Sequence, residues 1–291
     1  GICGVHCENS GVIDALVAEK KAKGEKLSRT ALYDYPMACL ADEAGIEIIN
    51  MGDSIATVML GHKTTNEADL DIMIEHAKAV RAGTPSAFIM GDMPFLTYQI
   101  SDEEAIRNAG RYIREAGMDC VKIEGGMEIV HTVEALTKAG IPVIAHTGLT
   151  PQKALQMGGY KTQGRDMLAA VELIKEVAAF EKAGAIAVVI EAIPSEVAKI
   201  IYERSNIPIL GTGCGPYSDS PMINFYDMLG YYDRNPKFVK KYADVHKVAV
   251  DAVSQFVQEC HDGTYPGPEH CYKMKAGEEE KLKELLKEQG L

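Results

Sequence analysis

Short apolar runs that stop abruptly on a polar residue recur along this chain. The clearest are IEIINMGDS (46–54), SAFIMGDMP (86–94), DCVKIEGG (119–126), IPVIAHTG (141–148), AIAVVIEAIP (185–194) and IPILGTGCG (207–215). Each is brief, rich in β-branched residues and bounded by Gly or Pro, which predicts a buried strand. Between the runs the period changes. Over 65–81, the residues Leu70, Met73, Ile74, Ala77 and Val80 recur three or four apart, an apolar stripe down one helix face. SDEE at 101–104 reads as a capping box, opening a helix that closes at Gly117. Helical stretches over 127–140 and 167–184 leave through Gly140 and Gly184, the residues suited to left-handed caps. Others span 195–205 and 245–259. Two weaker runs, ALYDY (31–35) and NFYDML (224–229), bring the strands to eight.

Strands alternating with helices predict an α/β fold, a parallel (β/α)8 TIM barrel with additional terminal helices. A doubly wound open sheet is the alternative, but no GxGxxG opens an early helix to support its dinucleotide-binding form. The expected division is an N-terminal helical extension over 1–27, a catalytic barrel over 28–272 and a charged, helical tail over 273–291. That tail is read as solvated, with docking on a partner subunit as the other reading.

In such a barrel the chemistry sits at the C-terminal ends of the strands. Asp53, Asp92, Glu124, His146 and Glu191 should therefore meet at one mouth despite their separation in sequence. Asp53 and Asp92 each follow a glycine, and carboxylates on neighbouring strands suit a hard divalent cation. For either alone, capping the next helix is the plainer role. Lys122 and Glu124 lie two apart and share a face, either as a structural ion pair or as an anion-binding cation beside a carboxylate that supports the metal. His146 ends the next strand, where a core histidine is the plainer reading. Glu191 closes an apolar run, where burial would raise its pKa and suit it to general-base chemistry; pairing with Lys122 is the alternative. GTGCGP (211–216) could offer backbone N–H groups to an anion or be a tight turn.

Composition narrows the function. A net charge of -12 over 291 residues argues against nucleic acid. No apolar stretch is long enough for a bilayer, and GICGVHCENS lacks the basic and apolar regions of a signal peptide. Seven scattered cysteines without a CxxC pair read as reduced thiols, so the expected location is cytoplasmic. Cys3, His6 and Cys7 could bind a metal, but their spacing matches no standard site.

Several motifs occur in order: YDYPMA, GDS, AVRAG, DMPFLTY, VKIEGG, GIPVIAHTGLTPQ, GGYKTQGR, IEAIPSEVAK and YPGPEH. Together they resemble the ketopantoate hydroxymethyltransferase family of the phosphoenolpyruvate mutase/isocitrate lyase superfamily, over nearly the whole chain. The resemblance implies hydroxymethyl transfer from 5,10-methylenetetrahydrofolate to 3-methyl-2-oxobutanoate through a Mg²⁺-stabilised enolate, in a homo-oligomer, typically a decamer. It implies Mg²⁺ on Asp53 and Asp92 with Glu124 nearby; Ser54, Lys122 and His146 holding the 2-oxo acid; and Glu191 as base. No nucleic acid or membrane partner is expected. The chain departs from the family pattern at Lys63, at Ala192, and over 211–230, where GTGCGPYSDSPMINFYDMLG replaces GIGAGP-CDGQ-L--HD-LG. The alternative is thus a relative that applies the same chemistry to another 2-oxo acid, as an aldolase or lyase. A barrel kept only for assembly is the remaining reading, and loss of metal binding would favour it.

Overall fold

The computed structural model describes residues 9–232 and 236–291. The stretch containing Cys3, His6 and Cys7 lies outside them. In the unit ending at Tyr242, helix α1 (Asn9–Ala22) leads into strand β1 (Arg29–Ala31), helix α2 (Tyr35–Glu43), β2 (Ile48–Met51) and a single turn, α3 (Ile55–Val58). Then come α4 (Leu70–Gly83), β3 (Phe88–Asp92), α5 (Asp102–Ala116), β4 (Cys120–Glu124), α6 (Val130–Lys138) and β5 (Val143–Gly148). The short α7 (Ala154–Met157), α8 (Met167–Lys182), β6 (Ala187–Glu191), α9 (Ser195–Arg204), β7 (Ile209–Thr212), β8 (Ser220–Asn224) and α10 (Phe225–Leu229) follow. All the strands are parallel, and β8 pairs with β1 to close the barrel.

Strands covered on both faces must be apolar on both, which is why the runs are continuous rather than alternating. Alternate residues supply two separate cores. Ile48, Phe88, Met90, Cys120, Ile144, Ala187, Val189 and Leu210 fill the barrel interior, together with Leu27 and with Ile13 and Val17 of α1. Their neighbours Ile49, Ile89, Val121, Val143, Val188 and Ile190 pack outward with the helices.

At α5 the Ser101 half of the expected capping box and the glycine exit are both present. Ser101 caps it by accepting from the Glu104 N–H at 3.2 Å, and Gly117 ends it with φ of 65°. The stripe over 65–81 is divided: a 3₁₀ turn covers Thr65–Glu67, and α4 starts afresh where the Asp69 carboxylate accepts from the N–H groups of Asp71 and Ile72. Two strand positions need correction. ALYDY is not the first strand; the Asp34 carboxylate accepts from the Met37 N–H at 2.8 Å and turns the chain into α2, so β1 lies upstream at Arg29–Ala31. NFYDML is α10 rather than the eighth strand, because Asn224 caps the Tyr226 N–H at 3.1 Å and Gly230 closes the turn at φ of 73°.

The second compact unit, Ala243–Leu291, contains α11 (Val245–Asp262), a 3₁₀ turn at Pro268–His270 and α12 (Glu278–Glu288). Among the described residues no helix is long and apolar enough to cross a membrane.

Candidate active site

Parallel register assembles the site at the strand ends. Asp92 of β3 lies beside Lys122 of β4, Glu124 beside His146 of β5, and Glu191 of β6 beside Gly148 and Thr212. Inward-pointing residues of every strand, together with Asp53 and Ser54 beyond β2, line one cavity of about 150 Å³. All seven residues expected from the sequence border it: Asp53, Ser54, Asp92, Lys122, Glu124, His146 and Glu191.

Lys122 is the positive centre. Its Nζ lies 3.0 Å from Asp92 Oδ2, 3.7 Å from Glu124 Oε2 and 3.3 Å from His146 Nδ1, and the side chain is buried. Burial opposes its charge, but Asp92, Glu124 and Asp53 outweigh burial and raise its pKa. Lys122 therefore pairs with Asp92 and Glu124, not with Glu191.

Neither aspartate caps a helix; Ser54 takes the N-cap position of α3, and Asp92 ends its strand. Asp92 Oδ2 accepts from Asn50 Nδ2 at 3.2 Å and the Asp53 N–H at 3.3 Å, whereas its buried Oδ1 has no hydrogen-bond partner. Asp53 Oδ2 accepts from Gln152 Nε2 at 2.8 Å. Burial, reinforced by Glu124 and Asp92, pushes the Asp53 pKa up to about 8. Burial also raises that of Asp92, against the pull of Lys122.

Glu124 is buried yet held ionised: His146 and Lys122 overcome desolvation and lower its pKa. Its Oε1 accepts from the Gln152 N–H at 2.7 Å. His146 bridges two carboxylates, with Nδ1 3.2 Å from Glu124 Oε2 and Nε2 3.3 Å from Glu191 Oε2. Neither approach is aligned as a hydrogen bond. Burial and Lys122 act against its protonation, but Glu124 and Glu191 leave its pKa raised. Glu191 is the least enclosed of these acids, with its side chain 18% exposed against 1% for Glu124.

Backbone geometry fixes Glu191. Ala192 adopts a left-handed φ of 46°, a strained state for a side-chain-bearing residue, and its N–H donates to Thr212 O at 2.8 Å. Gly148 has φ of 92°, and a Cβ there would lie 2.3 Å from Glu191 O, so only glycine allows the two strand ends to approach.

Among the described residues no three His, Cys, Asp or Glu side chains form a ligand cluster for a metal. The pair Asp53 and Asp92 still suits a cation, because Asp92 Oδ1 is a buried acceptor without a donor and the Asp53 carboxylate is penalised by its anionic neighbours. Oxygen donors of this kind suit Mg²⁺, which keeps open positions for water or substrate.

The chain has close relatives in sequence. The family model described as ketopantoate hydroxymethyltransferase matches residues 13–268. The chain belongs to the ketopantoate hydroxymethyltransferase family. The 3-methyl-2-oxobutanoate hydroxymethyltransferase of Syntrophomonas wolfei is 44% identical over 262 residues, 90% of this chain and 95% of the relative. The enzyme of that name from Heliobacterium modesticaldum is 46% identical over 257 residues, 88% of this chain and 93% of its own. Among solved structures, phosphonopyruvate hydrolase complexed with oxalate and Mg²⁺ superposes with a TM-score of 0.59 at 17% identity, covering 97% of this chain and 95% of that one. A 2,3-dimethylmalate lyase of the PEP mutase/isocitrate lyase superfamily gives 0.60 at 18%, covering 98% and 99%. At such identities the likeness carries the fold.

Ketopantoate hydroxymethyltransferase motifs also contain partners that the sequence reading passed over. Gln152, within TGLTPQ, joins Asp53 to Glu124 and also accepts from Tyr98 Oη at 2.8 Å. Tyr33, within YDYPMA, is hydrogen-bonded to Ser54 Oγ at 2.8 Å. Tyr226, one of the departures from the family pattern, stacks on Tyr33 at 5.8 Å and donates to Asp34 Oδ2 at 2.6 Å, outside the cavity. Arg29 was missed because its strand was placed two residues too late.

Proposed function

We propose that this chain transfers a hydroxymethyl group from 5,10-methylenetetrahydrofolate to C3 of a small 2-oxo acid, with 3-methyl-2-oxobutanoate, the acid in its relatives' names, as acceptor. One observation carries the reading: a single small cavity combines a buried cation, an unpaired carboxylate oxygen and a separate, partly solvated carboxylate. These are Lys122, Asp92 Oδ1 and Glu191. Asp53 and Asp92 would hold Mg²⁺, which when bound supplies a Lewis acid for the 2-oxo group.

The chain's own groups divide the remaining tasks. Lys122 sets positive charge against the substrate anion, and its buried position gives that charge more effect than water would allow. The Ser54 hydroxyl, hydrogen-bonded to Tyr33, lines the same cavity. Glu191 is the base: it is the carboxylate of the group that neither pairs with Lys122 nor bonds to Gln152. Removal of the C3 proton leaves a nucleophilic carbon that attacks the one-carbon unit, and water supplies the hydroxyl oxygen. His146, with Nε2 3.3 Å from Glu191 Oε2, sets positive charge beside the base when it is protonated. An apolar recess of about 220 Å³ bordered by Thr64, Pro151, Leu155 and Tyr160 shares Pro151 with the cavity and supports the reading that a flat donor binds alongside.

The test is proton NMR of 3-methyl-2-oxobutanoate in D₂O with protein and Mg²⁺, without folate. The C3 signal should fade, and Glu191→Gln should slow its loss by about 10² to 10⁴ while leaving Mg²⁺ binding in place. A persistent signal that folate does not change overturns the proposal. Wild-type exchange in Glu191→Gln removes Glu191 from the base role.

A further inference from the structure

Arg29 is a second buried cation in the cavity, one that the reaction outlined above does not use. It projects from β1 beneath the mouth and is 4% exposed. Its Nη2 donates to Gly211 O at 3.1 Å and Thr212 Oγ1 at 3.0 Å, while its buried Nε has no hydrogen-bond partner. Among the described residues no carboxylate lies within ion-pair distance of it; Glu191 and Asp92 act on it only from farther away. A buried charge is retained at a cost unless its donors are satisfied; here Nη2 is fixed by β7, Nε is left without an acceptor, and the residue lines the cavity. Ala31, Val189, Thr212, Met222 and Asn224, from β1, β6, β7 and β8, line the cavity with it, whereas Lys122 comes from β4. An acid bound by its 2-oxo end at Asp53, Asp92 and Lys122, with C3 at Glu191, would direct its branch toward this group. A hydrocarbon branch satisfies none of these donors, whereas an oxygen does.

We propose that Arg29 is a specificity-determining residue that binds an oxygen on the acceptor's branch, so that the chain also accepts 2-oxo acids whose branch ends in a hydroxyl or carboxylate. The proposal rests on the 2-oxo acid reading of the site.

Two near-isosteric pairs test it: 4-hydroxy-2-oxobutanoate against 2-oxopentanoate, and 2-oxoglutarate against 5-methyl-2-oxohexanoate. Deuterium exchange at C3 with Mg²⁺ and calorimetric Kd would be measured for each. The oxygen-bearing member of at least one pair should be favoured, and the pair responding identifies the group. Arg29→Met should reduce that preference about 10- to 100-fold, the worth of a hydrogen bond to a charged donor. Thr212→Val, which releases the guanidinium while keeping the shape, should reduce it in part and serves if Arg29→Met does not fold. Preference for the hydrocarbon member in both pairs, or equal losses for both members on substitution, overturns the proposal and assigns Arg29 to charge balance. Exchange from 3-methyl-2-oxobutanoate would in that case leave the transferase reading standing. Binding preference without exchange of any acid would keep the Arg29 assignment and overturn the reaction.

Discussion

The accumulation of buried carboxylates makes cation binding a pH-dependent event of predictable sign. Asp53 has its pKa raised from 3.8 to about 8 by burial and by Glu124 and Asp92. A cation on Asp53 must expel that proton, so apparent affinity should rise about tenfold per pH unit below 8. Between pH 6 and 8 the ionised fraction grows from about 1/100 to about 1/2, giving roughly 50-fold tighter binding, or about 2.3 kcal/mol. Stability in the metal-free protein runs the other way. An acid with a raised folded pKa stabilises the fold at low pH and loses that contribution as pH climbs from its unfolded value toward 8. Asp92 is raised too, and His146, raised above 6.5, loses its contribution as pH passes its folded pKa. Glu124, lowered below 4.5, contributes fully across this window. Metal-free protein should therefore melt at a lower temperature at pH 8 than at pH 6, and Mg²⁺ should raise the Tm more at pH 8. Calorimetric Mg²⁺ titration at pH 6, 7 and 8, with melting curves in each buffer, checks both. A Kd that is flat across the range would refute the argument, since it would mean that Asp53 is ionised throughout.

Lys122→Met should destabilise the metal-free fold by about 3 to 5 kcal/mol, the cost of breaking a buried pair, and Mg²⁺ should restore more Tm to this variant than to the parent. Equal Mg²⁺ shifts would show that Lys122 and the cation do not share the same carboxylates. Gly91→Ala places a Cβ 2.5 Å from Tyr112 Cδ1, displacing the ring whose hydroxyl donates to Asp92 O at 2.6 Å. Overpacking of this kind costs about 1 to 3 kcal/mol, and denaturant unfolding should show it together with weakened Mg²⁺ binding; full retention of both would mean that the ring moves freely.

Much of this site was legible in the sequence because a parallel barrel turns a local rule into a global one. A polar residue ending an apolar run must lie at the mouth, so Asp92, Glu124, His146 and Glu191 could be named from their runs alone. Where a cap competed with a strand, the pattern misled. YDYP and NFYD carry strand-like residues, but Asp34 and Asn224 satisfy helix N–H groups and take both segments away from the sheet.

Pairing was beyond the sequence, since it depends on register between strands far apart in the chain. Nothing in the string indicates that Lys122 faces Asp92 rather than Glu191, or that Gln152 reaches back to Asp53. The sequence determined the alternation of strand and helix, and with it the composition of the mouth. Only the closed barrel decided which charges meet, how deeply each is buried and hence which carboxylate keeps its proton, because desolvation and Coulomb energies depend on distances of a few ångströms that the chain order does not contain.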